Sequence, residues 1–425
     1  MSDESDETEE VARSAHDPYA ALRFRDFRFL LLSNFLGSLG GQMAGVAIGW
    51  QVYAQTGSAF ALGLVGLVEM LPVILFSLPA GHLSDHYSRK KIVLASRFCT
   101  ALCSVGLALL SFLHGPIYLL YSLILGIGIA RSFFGPASST LIAQVVPPHV
   151  YTNAVNWRSN TWQLAAAIGP AVGGFVIAIT KSVTPVYVLD VVFSFIYIGM
   201  IASIRSNQPV RPREPMSFES LVAGIRFMRS SPLLLSAITL DLFAVLLGGA
   251  AVLLPVFAKD ILHVGPTGFG WLRAAPSIGA TVMAFIIAHR RPSKHAGKTL
   301  LWAVGGFGIA TIVFGLSKSF PLSLAMLLTL GALDSVSVVI RSSLLLVTAP
   351  DAMRGRVSAV NSIFVGASNE LGAFESGAAA AWLGTVPSVV LGGIGTIIVV
   401  IASALIWPQL RNLKEIRPSE EAENI

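Results

Sequence analysis

"AGHLSDHYSRKKIVL", Ala80 to Leu94, is a polar, basic island set between two long apolar runs. The apolar segments of this chain are long, continuous and Gly-rich, and each flanking run has the roughly 20 residues that a helix needs to cross a hydrocarbon core of about 30 Å. A barrel strand would show only about ten alternating residues. The island therefore reads as a turn between two membrane-crossing helices. The rest of the chain has the same character: of 425 residues, 54 % are hydrophobic and only 12 % charged, with a mean hydropathy of +0.72. A soluble domain of this length is far less apolar. The sequence predicts an all-α membrane protein.

Windows of about 20 residues predict helices near Phe27–Gln55, Ala59–Leu83, Ile92–Leu113, Ile117–Val146, Asn153–Thr180 and Val183–Ile204. Six more are predicted near Leu233–Ala258, Thr267–Ala288, Lys298–Leu316, Leu322–Val347, Val357–Gly384 and Pro387–Trp407. With the first helix running outward, only Lys181, Lys259 and Lys318 of the 29 Lys and Arg fall outside, and Arg131, Arg158, Arg273 and Arg341 fall within the membrane. The remainder is cytoplasmic, as the positive-inside rule requires. A multi-pass protein of the plasma or inner membrane is expected, with both termini in the cytoplasm. Its basic pI near 9.4 then reports topology, and no nucleic-acid partner is expected.

Residues 1–16 open with "MSDESDETEE", which has no basic n-region and no cleavage site, and are expected to form a disordered cytoplasmic tail. Cys99 and Cys103, four apart in one apolar segment, read as small packing residues. The longest internal polar stretch, Arg205 to Pro232, is Pro-rich at its start. It is expected to link an N-terminal bundle (17–204) to a C-terminal bundle (233–408), with residues 409–425 a second cytoplasmic tail. Phe218, Leu221, Val222, Ile225 and Met228 fall on one helical stripe of that linker, which suits a short helix lying on the leaflet.

The halves read as diverged copies. "GLVEMLP" (Gly66–Pro72) aligns with "GWLRAAP" (Gly270–Pro276), setting Glu69 on Arg273; "GIARSFFGPASS" (Gly128–Ser139) aligns with Gly331–Ser343, setting Arg131 on Asp334. "AVN" follows in each half, at Ala154–Asn156 and Ala359–Asn361. Parallel repeats related by an axis along the membrane normal belong to a transporter architecture that binds substrate near the midplane.

On these features the opening island resembles the loop between helices two and three of the major facilitator superfamily, where Gly81, Asp85, Arg89 and Lys90 stand in its Gly-x-x-x-Asp-x-x-x-Arg-Lys pattern. The resemblance covers nearly the whole chain and implies twelve transmembrane helices in two pseudo-symmetric six-helix bundles. "QTGSAFALGLVG" (Gln55–Gly66), "LLPVFAKDILHVGPTGFGWLRAAPSIGA" (Leu253–Ala280) and "PDAMRGRVSAVNSIF" (Pro350–Phe364) resemble the exporter branch that includes enterobactin exporters and macrolide efflux proteins. "GPAVGG" in helix five, with Gly169, Pro170, Gly173 and Gly174, resembles the core of the motif associated with antiporters, although Asn156 and Ala165 stand where that motif has glycines.

Two readings of the island remain open. Its bases alone would hold the turn in the cytoplasm. Asp85 opposes that rule and Gly81 permits close backbone approach, so Asp85 is also read as half of a latch to bases or a helix N-terminus of the other half. The resemblance implies such a latch, closing the cytoplasmic side in the outward-facing state. The equivalent second-half stretch, Ala288 to Leu300, keeps the positive charge but has no acid. "GPAVGG" is likewise both a small-xxx-small packing surface and, dynamically, a seal of helix five against helix eight.

Charges inside the bilayer cost roughly 2.5–3.5 kcal/mol each on insertion scales unless they face a cavity or a partner. The candidates are Glu69, Arg131, Asp241, Arg273, Asp334, Arg341, Glu370 and Glu375, with Asp190 and Arg158 nearer helix ends. Asp334 and Arg341 lie seven apart, about two turns and one face. The resemblance implies that helices one, four, seven and ten line the path, so Arg131, Asp334 and Arg341 are expected to form a central substrate cavity with Asn34, Gln42 and Asp241. Relatives of the branch often carry an acid where Gln42 stands. A coupling carboxylate must exchange protons as the cavity changes side; burial favours its protonated form and a nearby Arg opposes it. Glu69 and Glu370, with no basic neighbour in sequence, are the expected proton carriers. Ion pairing between helices remains the structural reading of each charge.

The expected function is secondary active transport: proton-coupled efflux of a small amphipathic molecule, drug or siderophore-like, by a monomer in the lipid bilayer, with small-molecule substrate and protons as partners and no cofactor. An importer or uniporter of a small polar solute is the alternative, since the fold permits either direction. A membrane enzyme would need clustered ligands, a nucleophile with its base or a phosphate loop, and none is present in the sequence. With Arg131 and Asp334 both expected in the cavity, neither a cationic nor an anionic substrate is favoured.

Overall fold

A computed structural model describes residues 17–205, 218–289 and 295–414. The acidic tail, the Pro-rich start of the linker and most of the second tail lie outside the described residues. Twelve long helices run through the two halves, with no strand among the described residues. In the first half these are α1 (Arg25–Thr56), α2 (Ala59–His86), α3 (Arg89–Phe112), α4 (Ile117–Val145), α5 (Tyr151–Thr180) and α6 (Thr184–Ala202). In the second they are α7 (Pro232–Leu247), α8 (Gly265–Ala288), α9 (Ala296–Leu316), α10 (Phe320–Thr348), α11 (Asp351–Leu383) and α12 (Thr385–Ile406). Eleven spans are long and apolar enough to cross a membrane by composition alone. The twelfth crossing, α11, carries Asn361, Asn369, Glu370 and Glu375 and packs on α2, α7 and α12. The amphipathic linker helix forms over Phe218–Ser230 and leans on α11, where Gly224 lies against Arg356 and Val360.

Turn chemistry fixes the ends. Gly57 takes a left-handed φ of 61° and returns its N–H to Tyr53, closing α1, and the Ser58 side chain accepts from the Ala61 N–H at 3.3 Å to start α2. The seventh span differs from the continuous helix expected over Leu233–Ala258. It stops at Leu247, breaks at Gly248–Gly249, and continues as a 3-10 turn (Ala250–Leu253) and a π turn (Phe257–Ile261). The physical reason is local: paired glycines lower helix propensity and Pro255 lacks an N–H. The freed backbone is tolerated because it is buried against protein, with Gly249 beside Gly372 and Ser376 of α11.

The halves meet through α5 on α8 and α2 on α11. Both seams are tightest away from the face at which α1 begins and α12 ends, termed the terminal face. A methyl on Gly63, early in α2, would sit 3.1 Å from Gly377 Cα near the end of α11, and one on Gly174, late in α5, would sit 2.9 Å from Gly270 Cα. Only glycine allows backbones this close.

Candidate functional site

The six residues expected to form one substrate cavity do not come together. The structure distributes the membrane-embedded polar groups among separate places.

At the inter-half interface, the Arg131 guanidinium of α4 pairs with Glu69 of α2. A base therefore stands beside Glu69 in space, where the sequence showed none: α4 crosses α2 closely because Gly128 has no side chain to strike the Glu69 backbone. Glu370 enters from α11 of the other half, over Gly66, where a methyl would lie 2.9 Å from Glu370 Oε2. Arg273 of α8 faces Gly45 of α1 at 3.3 Å from the corresponding position. The charges of Glu69 and Glu370 act on both Arg131 and Arg273. Two acids and two bases from both halves thus share one site, which is neutral when all are ionised. Losing or gaining one proton there unbalances contacts that span the interface.

Inside the second half, Asp241 of α7 and Arg341 of α10 form a 2.5 Å ion pair, 5 % and 9 % exposed. Arg341 Nε also donates to Ser337 Oγ at 3.2 Å. Asp334 shares the expected α10 face, and the Arg341 charge acts on it too. The slot lined by Asp241, Asp334, Ser337 and Phe307 holds only about 10 Å³, room for no more than a water molecule. In this conformation the Asp241–Arg341 pair braces α7 against α10 beside that narrow slot.

A cavity of about 470 Å³ lies in the first half. It is lined by Asn34 and Ser38 of α1, Phe134, Gly135 and Ser138 of α4, and Arg158, Ser159 and Trp162 of α5. Asn34, Ser138 and Arg158 sit about 10–14 Å from the terminal-face ends of their helices, at 1.5 Å per residue. Gln42 is elsewhere, packed on Gly169.

In helix five, Gly169, Pro170, Gly173 and Gly174 are all buried. The expected contact is divided: Gly169 and Gly173 seat α5 on Gln42 and Met43 of α1, while Pro170 and Gly174 meet Gly270 of α8. In the opening island, Lys90 Nζ donates to the carbonyls of Ala202 and Ile204, 2.7 Å each, capping the end of α6. Arg89 is 9 % exposed. The surroundings of Gly81 and the side chain of Asp85 lie outside what is described, as does the second-half turn over 290–294.

Two groups escaped the sequence reading. Arg97, counted among the cytoplasmic bases, lies two turns deep in α3. It donates to the Gly37 carbonyl at 2.8 Å and stacks over Tyr197, 5.1 Å from the ring centre. Asp190 nearby accepts from Ser104 at 2.6 Å. Counting residues from Arg89, the α3 start, would have exposed that depth. The second group joins the halves on the face opposite the termini: the Tyr53 hydroxyl donates to Asp260 of the π turn, and Lys259 lies 5.3 Å from the Tyr53 ring centre.

The profile of the transmembrane secretion effector family matches residues 16–423. The chain is 27 % identical over 401 residues to the enterobactin exporter EntS of Escherichia coli strain K12, covering 93 % of this chain and 95 % of that protein. The same figures hold for EntS of Shigella boydii serotype 18. In fold it is similar to an inward-facing, unoccupied bacterial homologue of the human lysosomal transporter Spinster, with a TM-score of 0.73 at 14 % identity over 93 % of this chain and 98 % of that one. The nucleoside transporter NupG gives 0.70 at 12 % identity, over 90 % and 99 %. With profile, relatives and fold in agreement, the chain belongs to the transmembrane secretion effector family of major facilitator transporters.

Proposed function

We propose that this transporter exports a small amphipathic molecule by proton antiport, alternating access between its two halves. The observation that carries the reading is the four-charge site of Glu69, Arg131, Arg273 and Glu370, because it draws residues from both halves and changes net charge with a single proton. Protonation of Glu69 or Glu370 releases an arginine from its counter-charge, and the released arginine must find another partner as the halves re-pack. The name of the enterobactin exporters supports the outward direction.

By the positive-inside reading the terminal face is cytoplasmic. The first-half cavity then lies on the cytoplasmic side of the midplane, while the glycine seams and the Tyr53–Asp260 bond close the outer side. Asp85, Arg89 and Gly81 form the latch that seals the cytoplasmic side in the alternate state, with Lys90 anchoring the loop to α6. The test is proton-driven uptake of a labelled amphipathic substrate into inverted vesicles. Uptake should be lost in Glu370→Gln and in Glu69→Gln. Full uptake in the double variant would refute coupling through this site, and counterflow indifferent to a pH gradient would favour a uniporter.

A further inference from the structure

We infer that the first-half cavity is a recognition pocket for aromatic organic anions, with Arg158 receiving the anionic group and Trp162 the ring. The charge distribution leads there. Among the residues lining the cavity, Arg158 is the single ionisable one, and it forms no ion pair with any described carboxylate. Acids that would serve a cation are engaged elsewhere: Glu69 with Arg131, Asp241 with Arg341, and Asp334 in a slot too narrow for a ligand. Facing the cavity without a counter-ion, the Arg158 guanidinium keeps its fork of donors free for a planar carboxylate or similar anion.

The other walls agree. Ser38, Ser138 and Ser159 offer hydroxyl donors and Asn34 an amide around the same space, while Ser138 is itself 5 % exposed, a buried polar wall. Trp162, 54 % exposed, and Phe134 also line the cavity. A volume of about 470 Å³ suits a small organic ligand. The pocket shares α4 with the proton site, where Arg131 stands three residues before Phe134, but none of the four charges of that site lines it.

The inference deepens the transport reading and rests on it only for calling the ligand a substrate; binding is measurable without transport. Purified full-length protein in nanodiscs is titrated calorimetrically with three probes sharing one aromatic body: 1-naphthoate, 1-naphthylmethylammonium and 1-naphthalenemethanol. Naphthoate should bind about tenfold more tightly than the ammonium probe, the size of one charge-assisted contact. Arg158→Gln should abolish that preference, Arg158→Lys should keep its sign, and Trp162→Ala should weaken all three probes alike. Equal binding, preference for the ammonium, no naphthoate binding at millimolar concentration, or a preference surviving Arg158→Gln overturns the anion assignment. Unchanged binding in Trp162→Ala overturns the ring assignment. If the preference holds while inverted vesicles show no proton-driven uptake, the coupling reading fails and the pocket stands.

Discussion

Arg341 serves two carboxylates inside the second half, so its removal should cost more than the removal of either acid. The Asp241 side chain is 7 % exposed and lies 2.5 Å from the guanidinium, and Asp334 feels the same charge. Arg341→Met keeps the length of the side chain and strands both acids, and losing one partner of a buried pair costs about 3–5 kcal/mol. Asp241→Asn leaves an acceptor in place and Asp334 as counter-charge, so the loss should be nearer about 1–2 kcal/mol, one hydrogen bond to a charged group. The double variant should fall well short of the sum, because the second change removes a group the first has already orphaned. The assay is the midpoint of loss of monodisperse protein on heating in one detergent, read as a ranking because such unfolding is irreversible. If Asp241→Asn falls as far as Arg341→Met, Asp334 does not share the guanidinium. If Arg341→Met matches the parent, the pair is no structural brace.

Gly174→Leu should abolish transport with normal membrane levels, because its side chain would strike Pro266 and Gly270 and hold the seam apart; vesicle uptake beside an immunoblot checks this. Tyr53→Phe deletes the hydroxyl bonded to Asp260 and, at about 1 kcal/mol for such a bond, should raise outer-side accessibility to a membrane-impermeant thiol reagent, at a cysteine placed in the cavity, by about fivefold. Asp85→Asn and Arg89→Ala should each abolish transport while leaving insertion intact, and normal uptake in both would remove the latch.

The helices were legible because hydrophobic length is a property of sequence alone; α2, α4 and α8 begin or end at or close to their expected residues. The break after Leu247 was visible in Gly248–Gly249, but apolar composition runs straight through it, so hydropathy hid it. The charges were harder. Glu69 and Arg131 are 62 residues apart in the chain, and their meeting depends on which faces of α2 and α4 touch, which Gly128 decides. Asp334 and Arg341 share a face as the seven-residue spacing implies, yet which half-interior or cavity that face meets is set by α7, whose Asp241 captures the arginine. Arg158, a residue near a helix end by sequence, lines the cavity because α5 leans on α1 at Gly169 and Gly173.

The seams at Gly63–Gly377 and Gly174–Gly270 have a mechanical consequence. Where backbone rests on backbone, few rotamers interlock, and the side chains that part beside Gly63–Gly377 are chiefly the rings of Phe60 and Phe374, 5.9 Å apart. The resistance to opening comes from replacing close van der Waals contact with lipid or water, a smooth cost that rises with separation instead of a ratchet of discrete repacking steps. Direction must then be imposed from elsewhere, which in the proposed mechanism is the task of the charged groups at the interface, and the seams themselves act as low-friction bearings.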